Sequence, residues 1–244
     1  MELILLDLNF WLIPYPGSRD LKQRMQKFIQ LVNKLNPDII TLQELWLKKY
    51  INYLEKSLPS YHLTIPENNY INRSGLLTLS KAKPISTSFF IFPKEKGFNL
   101  RERLGHKGIL TIKIKINNKV ILVHNTHLYN PREKEHNIFP RNQFRIMKEK
   151  IKKGDNIISG DLNLPKNELK QINKGEFQLS PSQEATFSDK NEYQRKFSSF
   201  HHHTNKKTDY IITKFNSVKT TIKEKIITSP LFSDHYPILA SIKF

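Results

Sequence analysis

The sequence predicts an α/β domain in which two β-sheets pack face to face and helices flank them. Three observations carry this. Short apolar runs ending in polar residues recur from 2–9 to 234–244. Stretches with helical spacing of apolar residues are few and lie between those runs. From about 61 to 127, β-rich segments follow one another directly. Many strands with few helices are accommodated most simply by two packed sheets. No repeat or low-complexity linker interrupts residues 1–244, so a single domain is expected.

The elements follow in order. Residues 2–9, "ELILLDLN", form a short apolar run ending in polar groups, which reads as a buried strand. Residues 18–36 place Leu21, Met25, Phe28, Leu31, Val32 and Leu35 near helical spacing, with Ser18 as N-cap and Pro37 as stop. "DIITLQE" (38–44) is a second buried strand ending in Glu44, and 47–58 a second helix. Strands are expected at 74–80, 85–92, 108–116 and 119–128, the last two joined by the "INNK" turn. A basic helix spans 141–153, with Gly154 as its end. "DNIISGDLN" (155–163) is the next strand. The polar stretch 166–208 reads as loops with short helices, and strands at 208–215, 217–227 and 234–244 finish the chain.

The apolar runs end repeatedly in groups able to hold a metal or a phosphate: Asn9, Glu44, His127, Asp161 with Asn163, Asp209, and Asp234 with His235. Each alone has a structural explanation. An Asn after a strand is usually a turn residue, and a lone His is usually a hydrogen-bonded structural one. Recurrence at six places is the signal. Carboxylate and amide oxygens are hard ligands suited to Mg²⁺. Phosphodiester cleavage needs a cation on the non-bridging oxygens, an activated water and a stabilised leaving oxygen. A histidine paired with a carboxylate can act as base, because the carboxylate fixes its tautomer. Asp161 and Asn163, two apart, face one way if the segment is extended. Asp234 and His235 are adjacent, so both reach one site only from an irregular turn.

Composition narrows the chemistry. There is no cysteine, so thiol nucleophiles, disulfides and thiolate metal sites are excluded. The net charge of +18 favours a polyanionic partner, namely nucleic acid, an anionic membrane surface or a phosphorylated substrate. Abundant Lys, Ile and Asn together also fit an AT-rich genome, in which case much of the charge is solvated surface. No stretch approaches the ~20 apolar residues of a membrane span. "MELILLDLNF" has Glu2 where a signal peptide is basic, which points to a cytoplasmic protein or to export independent of a cleavable signal.

Taken together, "LDLN", "DIITLQE", "NTHL", "SGDLN", "TDYI" and "SDHYPI" resemble the endonuclease/exonuclease/phosphatase superfamily, in order and over nearly the whole chain. The resemblance implies the DNase I-like fold, a four-layer α/β/β/α sandwich with the site at one edge. It implies a hydrolase acting on phosphoric esters with Mg²⁺, or Mn²⁺ or another divalent cation. Glu44 would be the principal metal ligand, with Asn9 and Asp234 close by. Asp161 and Asn163 would orient the attacking water and the phosphate. His235, oriented by Asp209, would be general base or phosphate contact. His127 would stabilise phosphoryl oxygens or protonate the leaving group.

Secondary motifs are similar to the neutral sphingomyelinase branch: "LNFWLIPYP", "LQELW", "SGLLTLSKAKPI" and "GHKGIL". Inositol polyphosphate phosphatases usually carry a Trp-Cys-Asp-Arg segment, which a chain without Cys lacks. Apurinic endonucleases typically have Tyr where His127 stands, and secreted DNases usually carry disulfides. The expected function is therefore a Mg²⁺-dependent phosphodiesterase of sphingomyelinase C type. The alternatives are an endonuclease acting on DNA or RNA and a non-catalytic binding module; a monomer is favoured. Residues 89–107 combine Phe89, Phe90, Phe92 and Phe98 with Lys94, Lys96, Arg101 and Arg103, which suits a membrane surface or single-stranded nucleic acid. A buried strand followed by a basic loop is the plainer reading. Trp11 and Trp46 are either core or rim residues. His201, His202 and His203 point different ways on an extended chain, so a loop or substrate-rim role is expected for "FHHHTNKK".

Overall fold

In the computed structural model, which describes residues 1–13, 18–67, 69–131, 137–151, 153–193, 205–216 and 218–244, the first apolar run forms strand β1 (Glu2–Leu12). Its two faces enter two different cores. Leu6, Leu8 and Phe10 pack with Met25, Phe28, Leu31 and Val32 of helix α1 (Leu21–Leu35). Leu3 and Leu5 join Ile112, Ile121, Ile157 and Ile238 on the opposite side. A strand buried on both faces must be apolar on both, which is why 2–6 shows no alternation. Phe28 is fully buried, its ring 4.7 Å from that of Phe10 and 6.0 Å from that of Phe232. Burial of such a side chain contributes roughly 1.5–3 kcal/mol.

The first sheet has six strands. Its spatial order is β13 (Thr221–Ile226), β14 (Ile238–Lys243), β1, β2 (Ile39–Leu45), β4 (Leu77–Ser80) and β3 (His62–Thr64). Only β1 and β2 are parallel. The second six-stranded sheet runs β5 (Ser86–Ile91), β6 (Gly108–Ile116), β7 (Lys119–His127), β8 (Asp155–Asp161), β12 (Asp209–Lys214) and β9 (Gln178–Leu179). Here only β7 and β8 are parallel. A small pair, β10 (Phe187–Ser188) and β11 (Asn205–Lys206), stands apart.

Helices α1 and α2 (Lys48–Ser57) cover the outer face of the first sheet, the latter through Ile51 and Leu54. Helices α4 (Ile138–Lys150) and α5 (Lys166–Asn173) cover the second, with Phe144, Met147 and Leu169 against Ile158, Tyr210 and Ile212. A short helix, α3 (Leu100–Leu104), lies between β5 and β6. The layers are thus α/β/β/α, the arrangement expected of the DNase I-like fold. Among the described residues, no helix is long and apolar enough to cross a membrane.

Some boundaries differ from expectation. Ser18 is not the N-cap of α1: its hydroxyl donates to the Ile13 carbonyl at 2.6 Å, and the helix starts after Asp20. Helix α4 begins at Ile138, earlier than expected, and ends at Lys150. Gly154 does not cap it; with φ 140° it turns the chain into β8. The polar stretch after 166 holds α5 and the three short strands β9 to β11, whose two-residue lengths leave no readable alternation.

Between the sheets, apolar residues give way to a polar layer. The inward faces read Leu5–Asp7–Asn9, Ile39–Thr41–Gln43, Val123–Asn125–His127 and Ile157–Ser159–Asp161, each two residues apart. Asp7 Oδ1 accepts from Thr41 Oγ1 at 2.6 Å and from Gln43 Nε2 at 3.0 Å. Thr41 reaches Ser159 Oγ at 2.8 Å, and Gln43 Nε2 donates to Asn125 Oδ1 at 2.9 Å across the sheets. Asp7 Oδ2 and Gln43 Oε1 have no partner among the described residues. Burial, then the charge of Asp209, pushes the Asp7 carboxyl up to about 7.

The folded chain therefore holds the Asp7 proton more tightly than the unfolded chain. This contribution to stability is complete below about pH 4 and is lost as pH rises to about 7. Asp7→Asn removes that loss while keeping an oxygen for Thr41 and Gln43. Its stability relative to wild type is expected to improve by roughly 2–3 kcal/mol between pH 5 and pH 8. Urea denaturation at the two pH values checks this; an unchanged difference would show that Asp7 does not titrate there.

Candidate active site

The strand ends deliver all eight predicted residues to one edge of the inter-sheet layer. Asp161, the last residue of β8, is the centre. Its Oδ2 accepts from Asn9 Nδ2 at 3.1 Å and lies 3.6 Å from His127 Nε2 and 3.9 Å from His235 Nε2. Its Oδ1 accepts from the Asn163 amide at 3.0 Å. Gly160 permits this approach: a Cβ there would sit 1.9 Å from the Thr126 carbonyl oxygen, and the residue has φ 144°.

Asn9 also donates to Glu44 Oε1 at 3.3 Å, and its Oδ1 accepts from the Trp11 amide at 3.2 Å. A bulge between Asn9 and Leu12, with Trp11 at φ 47°, ends the regular pairing of β1 with β2. Glu44 has φ 59°, which breaks the alternation of β2. The turn before β14 is irregular, as two adjacent site residues require. Ser233 Oγ donates to the Asn9 carbonyl at 2.6 Å and to Asp234 Oδ1 at 3.1 Å. His235 Nδ1 meets Asp209 Oδ2 at 2.8 Å, so Nε2 is turned toward Asp161. Thr208 Oγ1 donates to the same Asp209 oxygen at 3.0 Å.

Asn163 reaches the site differently from expectation. It lies past the end of β8 with φ 49°, so a turn rather than strand alternation places it. Its Nδ2 is engaged by the Leu128 carbonyl at 3.1 Å.

The charges divide the site in two. Burial would raise Asp209, but the charge and hydrogen bond of His235 outweigh it and hold the carboxyl below its usual value. Burial would lower His235, and Asp209, Asp234 and Asp161 instead hold it well above the usual imidazole range. This pair is a buried imidazolium–carboxylate. Asp161 is pushed up to about 7 by burial and by Asp209. His127 is kept neutral by burial and by the charges of Lys107 and His235, and both of its ring nitrogens lack a hydrogen-bond partner among the described residues.

Atoms of Asp161, Asp209 and His235 lie within 4.8 Å of one another and form a metal-capable group by proximity. That group is buried, with His235 keeping the most exposure of the three, and two of its members are already spent on each other. Glu44 and Asp234 are only half-buried. Burial, then Asp234, lifts the pKa of Glu44. Burial lifts that of Asp234 against the pull of His235 and Arg24. Two carboxylates at an open mouth, each penalised for its charge, Glu44 held by the Asn9 amide and Asp234 by the Ser233 hydroxyl, suit a hard, partly hydrated cation.

Beside this mouth lies a cleft of about 520 Å³ lined by Glu44, Lys107 and His127, with Trp46, Leu100 and Leu104 among its apolar walls and Arg73 and Arg101 at its side. Lys107 was not predicted as a site residue, although it stands in the "GHKGIL" motif. It is buried, donates to the Leu128 carbonyl at 2.6 Å and pairs with Glu102 at 3.3 Å. The aromatic residues of 89–107 do not form an exposed face. Phe92 is buried in the second sheet's outer core, and Phe98 stacks with Tyr129 and Phe139. The exposed apolar residues there are Ile91 (41%), Leu100 (72%) and Leu104 (66%), and sequence periodicity in a five-residue helix cannot reveal the last two. Trp11 is buried, while Trp46 is a rim residue. Pro14, Tyr15 and Pro16 of the aromatic-Pro segment and the His201–His203 run lie outside the described residues.

Comparison with known proteins agrees with this fold. The model of the Endonuclease/Exonuclease/phosphatase family matches residues 9–235. A search of curated protein sequences finds no match. Among solved structures, beta toxin from Staphylococcus aureus superposes with a TM-score of 0.81 at 21% identity, covering 98% of this chain and 99% of that one. Sphingomyelinase C from Streptomyces griseocarneus gives 0.80 at 17%, covering 99% of each chain. D. rerio TDP2 complexed with a single-strand DNA product gives 0.78 at 16%, covering 100% and 99%. At such identities these likenesses establish a shared fold.

Proposed function

The chain belongs to the Endonuclease/Exonuclease/phosphatase family, and from that premise we propose that it is a divalent-metal-dependent phosphodiesterase acting on a phospholipid headgroup in the manner of a sphingomyelinase C. The observation that carries the hydrolase reading is the convergence of Asn9, His127 and His235 on one carboxylate, Asp161. Glu44, Asp234 and Asn9 would hold Mg²⁺ or a similar cation at the open side of the site. The cation, when bound, supplies charge for the non-bridging phosphoryl oxygens.

The chain's own residues do the rest. Asp161, with its proton affinity raised toward neutrality, takes a proton from the attacking water. His235, kept cationic by Asp209, donates from Nε2 to a phosphoryl oxygen and stabilises the charge that builds there. This favours phosphate contact over the base role for His235. His127, neutral and with both nitrogens uncommitted, offers an N–H to the phosphoryl group or leaving oxygen. The Asn163 amide holds Asp161 Oδ1, so that Oδ2, which also accepts from Asn9, is the oxygen turned toward His127 and His235.

The lipid assignment rests on the cleft. Leucines and a tryptophan line it beside Arg73 and Arg101, which suits an apolar body joined to a phosphate. The +18 charge favours a second reading, a nuclease with the same site. One experiment separates them. The protein is incubated with Mg²⁺ and either sphingomyelin vesicles or plasmid DNA, each beside an Asp161→Ala control. Headgroup release that is lost in the control is expected. DNA cleavage alone would replace the lipid reading with the nuclease one, and activity persisting in the control would remove Asp161 from its role.

A further inference from the structure

We propose that Arg24 is a positioning residue that clamps the two segments carrying Asn9 and Asp234, and so sets the affinity of the metal site. The inference rests on the metal reading above and on geometry that reading does not use.

Arg24 projects from α1 and is fully buried. Its Nε donates to the Phe232 carbonyl at 2.6 Å. Its Nη2 donates to the carbonyls of Phe10 and, at 3.1 Å, Trp11. Its Nη1 donates to the Arg19 carbonyl at 3.2 Å. Phe10 and Trp11 directly follow Asn9, and Phe232 lies two residues before Asp234. One planar fork therefore spans both ligand-bearing segments. The Ser233 hydroxyl bond to the Asn9 carbonyl closes the same junction from the other side.

Packing alone does not explain a guanidinium here. Burying a charge is costly unless it is paired, and no ion pair to Arg24 is found among the described residues. A Met of similar length would fill the helix–sheet core at less cost. What the guanidinium adds is a rigid set of donors with fixed directions. It holds Trp11 at φ 47° through its carbonyl while the Trp11 amide donates to Asn9 Oδ1. It thereby fixes the rotamer of Asn9 indirectly. It also places a positive charge behind the site: Asp234 is the carboxylate that acts on it most strongly, and Glu44 acts on it too. The guanidinium lies over the Trp11 ring, its central carbon 5.1 Å from the centroid, which further limits movement.

The test compares Arg24→Lys and Arg24→Met with Ile51→Val, a change in the same core made from helix α2. Phe28 is unsuitable as the control because its ring packs on Phe10 and Phe232, the clamped segments themselves. Two quantities are read on the full chain: the Mg²⁺ dissociation constant by calorimetry, and hydrogen exchange at the Trp11 and His235 amides. Arg24→Met is expected to weaken Mg²⁺ binding about tenfold or more and to speed exchange at both amides together. Arg24→Lys, which keeps the charge without the fork, is expected to recover part of the affinity. Ile51→Val is expected to leave both quantities unchanged. The proposal is overturned if Arg24→Lys matches wild type in both, or if Ile51→Val shifts both as far as Arg24→Met. Should Arg24→Met not fold, the Lys variant alone decides. Should wild type bind no Mg²⁺, the metal reading and the affinity claim fall, and coupled exchange at the two amides still decides whether Arg24 is a clamp.

Discussion

His235→Ala is expected to cut turnover of a soluble phosphodiester by about a thousandfold or more, within the range for loss of a charged donor or a proton-transfer group. It should also destabilise the protein, because it strands Asp209 in a buried site. Removing one partner of a buried pair typically costs about 3–5 kcal/mol. The two effects separate in a second variant. Asp209→Asn placed in the same chain removes the stranded charge, and should restore most of the stability with none of the activity. Urea denaturation and steady-state turnover of the single and double variants check both. Near wild-type turnover in His235→Ala would remove the site assignment. The pair also has a pH signature. Asp209 contributes above about pH 4, and the raised His235 contributes fully below about pH 6.5 and is lost only as pH climbs through its folded value. Its stabilisation is therefore greatest between those limits, and the wild-type advantage over the double variant should shrink on both sides.

Glu44→Ala is expected to weaken Mg²⁺ binding by about a hundredfold, as a first carboxylate ligand at a site keeping several waters implies. The fold should survive, because burial and Asp234 already oppose the ionisation of Glu44. Calorimetric titration with Mg²⁺ measures the effect directly. An unchanged dissociation constant would take Glu44 out of the ligand set and turn attention to the buried group of Asp161, Asp209 and His235.

The layered α/β fold is legible in the sequence, as are the eight residues that the structure gathers into the candidate site. Strand periodicity and the polar group closing each apolar run are local signals, and residues two apart on a strand share a face wherever that strand goes. That is why Asn9, His127 and Asp161 could be named before their strands were paired. It is also why Ser18 misled: a helix N-terminus is decided by which backbone groups a hydroxyl meets, and here the Ile13 carbonyl takes it. Asn163 differs from the extended-segment expectation, since a left-handed turn places it.

The surroundings of these residues exist only in the folded chain. Asp7 sits in "LILLDLN" as an acid within an apolar run, and nothing local says that Thr41 and Gln43 will bind it. Arg24 is one more basic residue in a basic chain until α1 packs and buries it. Lys107, just before β6, becomes part of the site's electrostatics only when β6 pairs with the strand that carries His127. The split between a cationic His235 and a neutral His127 depends on burial and on charges brought from β8, β12, the turn before β14 and the segment entering β6. Such terms arise from distances between residues remote in sequence and from the removal of water, and neither exists until the sheets close on each other.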